Sequence, residues 1–201
     1  MNLPNKITLS RICLIPVFAV FFFLSDALLP CHYFIAALVF VVAACTDFLD
    51  GHIARSRGLV TNLGKFLDPI ADKVLVSTAL IFLLVRPQTL TVAWQGDWVT
   101  MASGICVAVI LARELIVSGF RMVAASAGLV LAADKIGKIK TVFQDVSIAF
   151  LLCGADFFGL MQVGKVLNAV GLVSLAIAAV LTIWSGLSYI LKNKAVLKEQ
   201  K

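Results

Sequence analysis

Charge is scarce in this chain. Only 14% of its 201 residues are Asp, Glu, Lys or Arg, against 61% hydrophobic, and mean hydropathy is +1.03. That balance exceeds the apolar content of ordinary soluble domains and places the chain in the membrane class. It predicts one integral membrane domain and leaves little chain for a soluble one. The five cysteines, Cys13, Cys31, Cys45, Cys106 and Cys153, are dispersed. No CxxC or Cys/His cluster points to zinc or redox chemistry, so they read as small core hydrophobes. Cys31 falls at a predicted outer boundary and is the one to watch for oxidation. Histidine is nearly absent: His32 lies away from the acidic stretch, and His52 falls inside it without an assigned role. Internal repeats and low-complexity segments are lacking. No small-residue cleavage site follows the first apolar run, so that run is expected to be a retained helix and not a removable signal.

What the chain does have is apolar runs. A helix needs about 20 mostly apolar residues to cross a bilayer. The runs predict an all-α integral membrane fold: an N-terminal interfacial helix over 1–11, then six transmembrane helices near 8–29, 33–53, 69–85, 98–119, 142–160 and 166–191. A basic tail, 192–201, follows. Pro69 suits a helix start, and Trp98 suits an interfacial anchor. The apolar stretch 122–133 is too short to span and reads as the end of the fourth helix plus a turn. With six spans both termini share a side. Of the seventeen basic residues only Arg86 and Lys165 fall on the other side. The positive-inside rule therefore predicts cytosolic termini. The basic residues follow the membrane sides, and no nucleic-acid partner is expected.

The scarce charge is concentrated in one stretch. It reads Asp47-Phe48-Leu49-Asp50-Gly51-His52-Ile53-Ala54-Arg55, then eight residues, then Gly64-Lys65-Phe66-Leu67-Asp68-Pro69-Ile70-Ala71-Asp72. Asp47 and Asp50 are three apart and Asp68 and Asp72 four apart, so on helices each pair projects from one face. Taken singly, an aspartate at a helix end is a cap or dipole partner, and a boundary arginine snorkels. Taken together, four carboxylates between apolar runs repel unless a cation intervenes, and in lipid they would cost on the order of 10 kcal/mol. An all-carboxylate set favours magnesium, manganese or calcium. Four carboxylates can hold two ions about 3.5–4 Å apart, an arrangement used in phosphoryl transfer. Gly51 and Gly64 would let backbone approach a ligand.

The order D-x2-D-G-x2-A-R-x8-G-x3-D-x3-D resembles the signature of the CDP-alcohol phosphotransferase family of membrane enzymes, and every fixed position is filled. The resemblance implies that family's six-helix fold and transfer of a phosphatidyl or similar group from a CDP-linked donor to an alcohol, releasing CMP. It implies two Mg2+ or Mn2+ ions, one on Asp47, Asp50 and Asp68, the other on Asp47, Asp68 and Asp72, with Asp72 also the catalytic base. Asp50, Gly51, Ala54 and Gly64 would line the donor site, with Arg55 at its phosphates. It also implies a homodimer.

The acceptor must be read outside the signature. Arg113, Arg121, Lys138, Lys140 and Thr141 fall on the predicted cytosolic side and suit an acceptor that carries its own phosphate. Asn2-Leu3-Pro4-Asn5-Lys6-Ile7-Thr8-Leu9-Ser10-Arg11, the Arg113-Glu114 pair and Ile136-Gly137-Lys138-Ile139-Lys140-Thr141 with Gln144 resemble the bacterial phosphatidylglycerophosphate synthase subfamily. One departure is that Arg121 is followed by Met122, where that subfamily often repeats Arg-Glu. This resemblance implies CDP-diacylglycerol and glycerol 3-phosphate as substrates, in contact with membrane lipids, at a bacterial cytoplasmic membrane with the site facing the cytosol. The alternatives are the same chemistry on inositol phosphate or serine, or a divalent-cation channel or carrier. A channel should also carry polar residues on the outer halves of its spans, and these are nearly absent.

Overall fold

A computed structural model describes residues 3–57, 62–126, 135–156 and 161–193. Those residues are mainly helical, with no strand among them: α1 (Leu3–Phe23), α2 (His32–Arg57), α3 (Asn62–Val85), α4 (Asp97–Ser126), α5 (Lys135–Ala155) and α6 (Met161–Lys192), with one 3-10 turn at Pro87–Thr89 between α3 and α4. Six helices among the described residues follow the order of the six expected apolar segments, but the expected N-terminal interfacial helix is not separate and other boundaries differ. The expected interfacial lead-in and first span are one continuous helix that carries Pro16 inside it. α3 begins at Asn62, so Pro69 lies within the helix and Asp68 is not a residue preceding it. α5 begins at Lys135, seven residues before the expected span. The cause is the same each time. Hydropathy marks where lipid ends, whereas backbone hydrogen bonding carries a helix on into polar sequence.

Two helical stretches, Asp97–Ala124 and Gln162–Lys192, are long and apolar enough to cross a membrane. Among the residues whose side chains are described, the apolar stretches of α1, α2 and α3 are Leu9–Phe23, His32–Thr46 and Lys73–Val85. The outer surface is apolar: Leu115 (76% exposed), Met101, Val180 and Trp184 all face outward. Such a surface suits a lipid solvent and would be an association liability in water.

The core has two seams. α1, α2 and α3 meet through aromatic rings, with Phe18 stacked on Phe82 at 5.9 Å and tilted on Phe40 at 6.1 Å. α5 and α6 form the most extensive helix pair, with Ile148, Leu151, Leu152, Leu175 and Ala178 buried between and around them. A Cβ at Gly171 would meet Leu151 Cγ at 2.8 Å, so glycine is what lets these helices approach.

Polar side chains fix both ends of the bundle. At the end holding the α1–α2 turn, Asn168 of α6 donates from Nδ2 to the Thr89 carbonyl (2.7 Å) and accepts from the Ala93 N–H (3.0 Å), tying down the connection before α4. At the same end His32 donates Nδ1–H to the Phe21 carbonyl (3.1 Å) and sets Nε2 against Asp26 (3.1 Å). Toward the other end, buried Arg11 of α1 donates from Nε to the Ala43 carbonyl of α2 (3.2 Å).

Candidate active site

The acidic stretch is carried by two consecutive helices. Asp47, Asp50, Gly51, Ala54 and Arg55 lie on the final turns of α2, and Gly64, Asp68 and Asp72 on the first turns of α3. Helical backbone at both places is what the shared-face reading of the aspartate pairs requires. The side-chain placement of these eight residues lies outside the described part of the structure. A donor set of four carboxylates fits a hard divalent cation.

Beside it the described side chains form a charged cluster. Lys73, next in the chain to Asp72, donates to the Ser118 hydroxyl, and Ser118 donates to the Glu114 carbonyl. Glu114 Oε1 accepts from Lys140 Nζ of α5 and from Arg113 Nη1 at 3.3 Å. Arg113 also donates from Nη2 to Ser185 Oγ of α6 at 3.0 Å, and the Ser185 hydroxyl in turn donates a hydrogen bond to the Thr182 carbonyl at 3.2 Å. A Cβ at Gly186 would press on Arg113 Cγ at 3.0 Å, so the bare backbone there is what admits the arginine stem. Lys140 is almost wholly buried; a cation held that deep requires a partner such as Glu114. Lys73, Ser77, Glu114, Lys140, Thr141, Gln144 and Asp145 line a cleft of about 30 Å³, room for one or two waters.

Of the five residues expected at the acceptor phosphate, Arg113 and Lys140 meet at Glu114, and Thr141 lines the cleft while its hydroxyl donates to the Lys138 carbonyl at 2.8 Å. Lys138 is exposed on the first turn of α5. Arg121 stands apart on the α4–α6 seam. It donates from Nε to the Tyr189 hydroxyl at 3.1 Å, and its guanidinium lies over that ring at 5.2 Å, beside Phe120. The eight-residue spacing of Arg113 and Arg121 does turn both toward α6, but to different partners.

Sequence reasoning assigned no role to three members of the cluster. Glu114 was legible only as half of the Arg113-Glu114 pair. Lys73 was legible as the neighbour of Asp72. Gln144 belongs to a buried polar strip, Lys140, Gln144 and Ser147, whose four-and-three spacing along an apolar helix was the available signal. At the opposite end of the bundle, Asp26, His32 and Asp156 place one ligand atom each within 4.8 Å of one another. His32 is about 22 Å along α2 from Asp47 at the helical rise.

The profile of the CDP-alcohol phosphatidyltransferase family matches residues 1–184. The CDP-diacylglycerol–glycerol-3-phosphate 3-phosphatidyltransferase of Bacillus subtilis (strain 168) is 40% identical over 206 residues, covering 98% of this chain and 97% of that protein. The protein of the same name from Escherichia coli (strain K12) is 38% identical over 201 residues, covering 99% and 98%. With the signature on α2 and α3 and likeness along the whole chain, this protein belongs to the CDP-alcohol phosphatidyltransferase family.

Proposed function

We propose that this protein transfers the phosphatidyl group of CDP-diacylglycerol to a hydroxyl of glycerol 3-phosphate, giving phosphatidylglycerol phosphate and CMP. The observation that carries this reading is end-to-end likeness to two bacterial proteins of that name. The complete donor signature, with Lys73, Arg113 and Lys140 gathered around Glu114 and Ser118 beside it, supports it.

In this reading Asp47, Asp50, Asp68 and Asp72 hold two divalent cations, Mg2+ or Mn2+, with Asp72 also taking the proton of the attacking hydroxyl. Bound there, the cations would neutralise the donor pyrophosphate and the leaving CMP. Gly51, Ala54 and Gly64 admit the cytidine with Asp50 alongside, and Arg55 meets the donor phosphates. The acceptor phosphate is drawn to the mouth of the cleft between α3, α4 and α5, beside the Arg113–Glu114–Lys140 cluster, with Thr141 on the wall. Lys138 and Arg121, at the same end of the bundle, supply long-range attraction.

All six helices cross or enter a bacterial cytoplasmic membrane, with both termini and the site on the cytosolic side, the arrangement that the positive-inside rule favours for this charge partition. The protein works among membrane lipids as a homodimer. Transfer to inositol phosphate or serine is the reading to be displaced. The test is CMP release and lipid product from purified protein in detergent–lipid micelles given CDP-diacylglycerol and glycerol 3-phosphate. Activity lost in EDTA and restored by Mg2+ or Mn2+ supports the reading; metal-independent transfer would contradict it.

A further inference from the structure

Gln144 is 4% exposed and lines the cleft, yet its side-chain oxygen has no hydrogen-bond partner among the described residues. A buried carbonyl oxygen left unmade is unfavourable, and such groups in native proteins call for an explanation. Around it the cleft holds two cations, Lys73 and Lys140, and two carboxylates, Glu114 and Asp145. The cations suit a phosphate. The Gln144 oxygen does not, because it can only accept, and phosphate oxygens at neutral pH are themselves acceptors. What the oxygen needs from a ligand is an uncharged donor, a hydroxyl.

We propose that Gln144 is a specificity residue for the acceptor: its amide oxygen receives the hydroxyl of a polyol phosphate that does not take part in transfer. Resting on the function proposed above, this assigns Gln144 to the secondary hydroxyl of glycerol 3-phosphate, the primary hydroxyl being the nucleophile. The same contact would select a vicinal diol phosphate over a simple alkanol phosphate. A site built to hydrogen-bond a substrate hydroxyl discriminates strongly against an analogue that lacks it, because the protein group is then left unpaired. Buried Ser147 continues the same face of α5 deeper into the bundle and likewise has no partner among the described residues, so the polar strip is not satisfied internally.

The test compares glycerol 3-phosphate with 3-hydroxypropyl phosphate, which keeps the primary hydroxyl and the phosphate but lacks the secondary hydroxyl. Wild-type protein and Gln144→Met are each assayed for kcat/KM on both acceptors at saturating CDP-diacylglycerol. The wild type is expected to favour glycerol 3-phosphate by roughly tenfold or more. Gln144→Met should lose most of that preference by falling on glycerol 3-phosphate alone. Its KM for CDP-diacylglycerol should be unchanged, and its Tm equal or higher, since an unpaired polar group has been removed. Equal losses on both acceptors, or a raised KM for the CDP-lipid, would overturn the assignment. So would a wild type that does not distinguish the two acceptors, a result that needs no variant. A wild type that transfers to neither acceptor would overturn the function as well as the role of Gln144.

Discussion

Glu114 holds together residues from two helices: Lys140 from α5 and its own neighbour Arg113, which reaches on to Ser185 of α6. Glu114→Gln removes the charge that compensates buried Lys140. The change is expected to lower stability by about 1–3 kcal/mol, read as a fall in Tm in detergent, and to weaken use of glycerol 3-phosphate. Arg113→Ala should raise the KM for glycerol 3-phosphate about tenfold with a smaller effect on that for CDP-diacylglycerol. An unchanged acceptor KM would remove Arg113 from the pocket. Asp68→Asn should abolish turnover while circular dichroism and membrane insertion stay as in the wild type, and normal turnover would contradict the metal assignment. At this scale the sequence was most legible where a residue type is costly in its setting. Four aspartates between apolar runs announce themselves. Gln144 does not, because one amide in a helix looks ordinary until its burial and its unmade bond are seen.

The helices themselves were readable by number and order. Their ends were not, since Pro69 and the polar residues Lys135 to Thr141 look like boundaries to hydropathy yet lie inside α3 and α5. The consequence matters for the site. Lys140 and Thr141 are fixed by helical backbone and not by a loop, which holds the cleft wall rigid. Rigid helices also make close approaches strict. At Gly171 an added Cβ would meet both Leu151 Cγ (2.8 Å) and the Leu151 backbone nitrogen (3.0 Å). Gly171→Val is therefore expected to cost about 1–3 kcal/mol by forcing α5 and α6 apart, measured as a lower thermal midpoint. Gly104 faces open space, so Gly104→Val should leave that midpoint within a few degrees of wild type. A tolerated Gly171→Val would mean the α5–α6 contact is looser than described.

For the molecule as a whole, an apolar exterior and a charged cluster toward one end suit a membrane enzyme of this family. The α1–α2 turn with Asp26 and His32 lies at one end. The acidic stretch, Lys73, Glu114 and Lys140 lie toward the other, where the basic residues also concentrate. The donor half of the proposed reaction was legible in sequence because the signature sets eight residues at fixed spacing. The residues proposed for the acceptor were less legible, because they come from α3, α4, α5 and α6 and meet only in three dimensions. The choice of acceptor is thus the central claim, and one measurement bears on it directly. Purified protein is supplied with labelled CDP-diacylglycerol and Mg2+ or Mn2+, and offered glycerol 3-phosphate, inositol phosphate and serine in separate reactions. The account predicts labelled phosphatidylglycerol phosphate, with equimolar CMP, from glycerol 3-phosphate alone. Transfer to inositol phosphate or serine in its place, or no transfer to glycerol 3-phosphate, would contradict it.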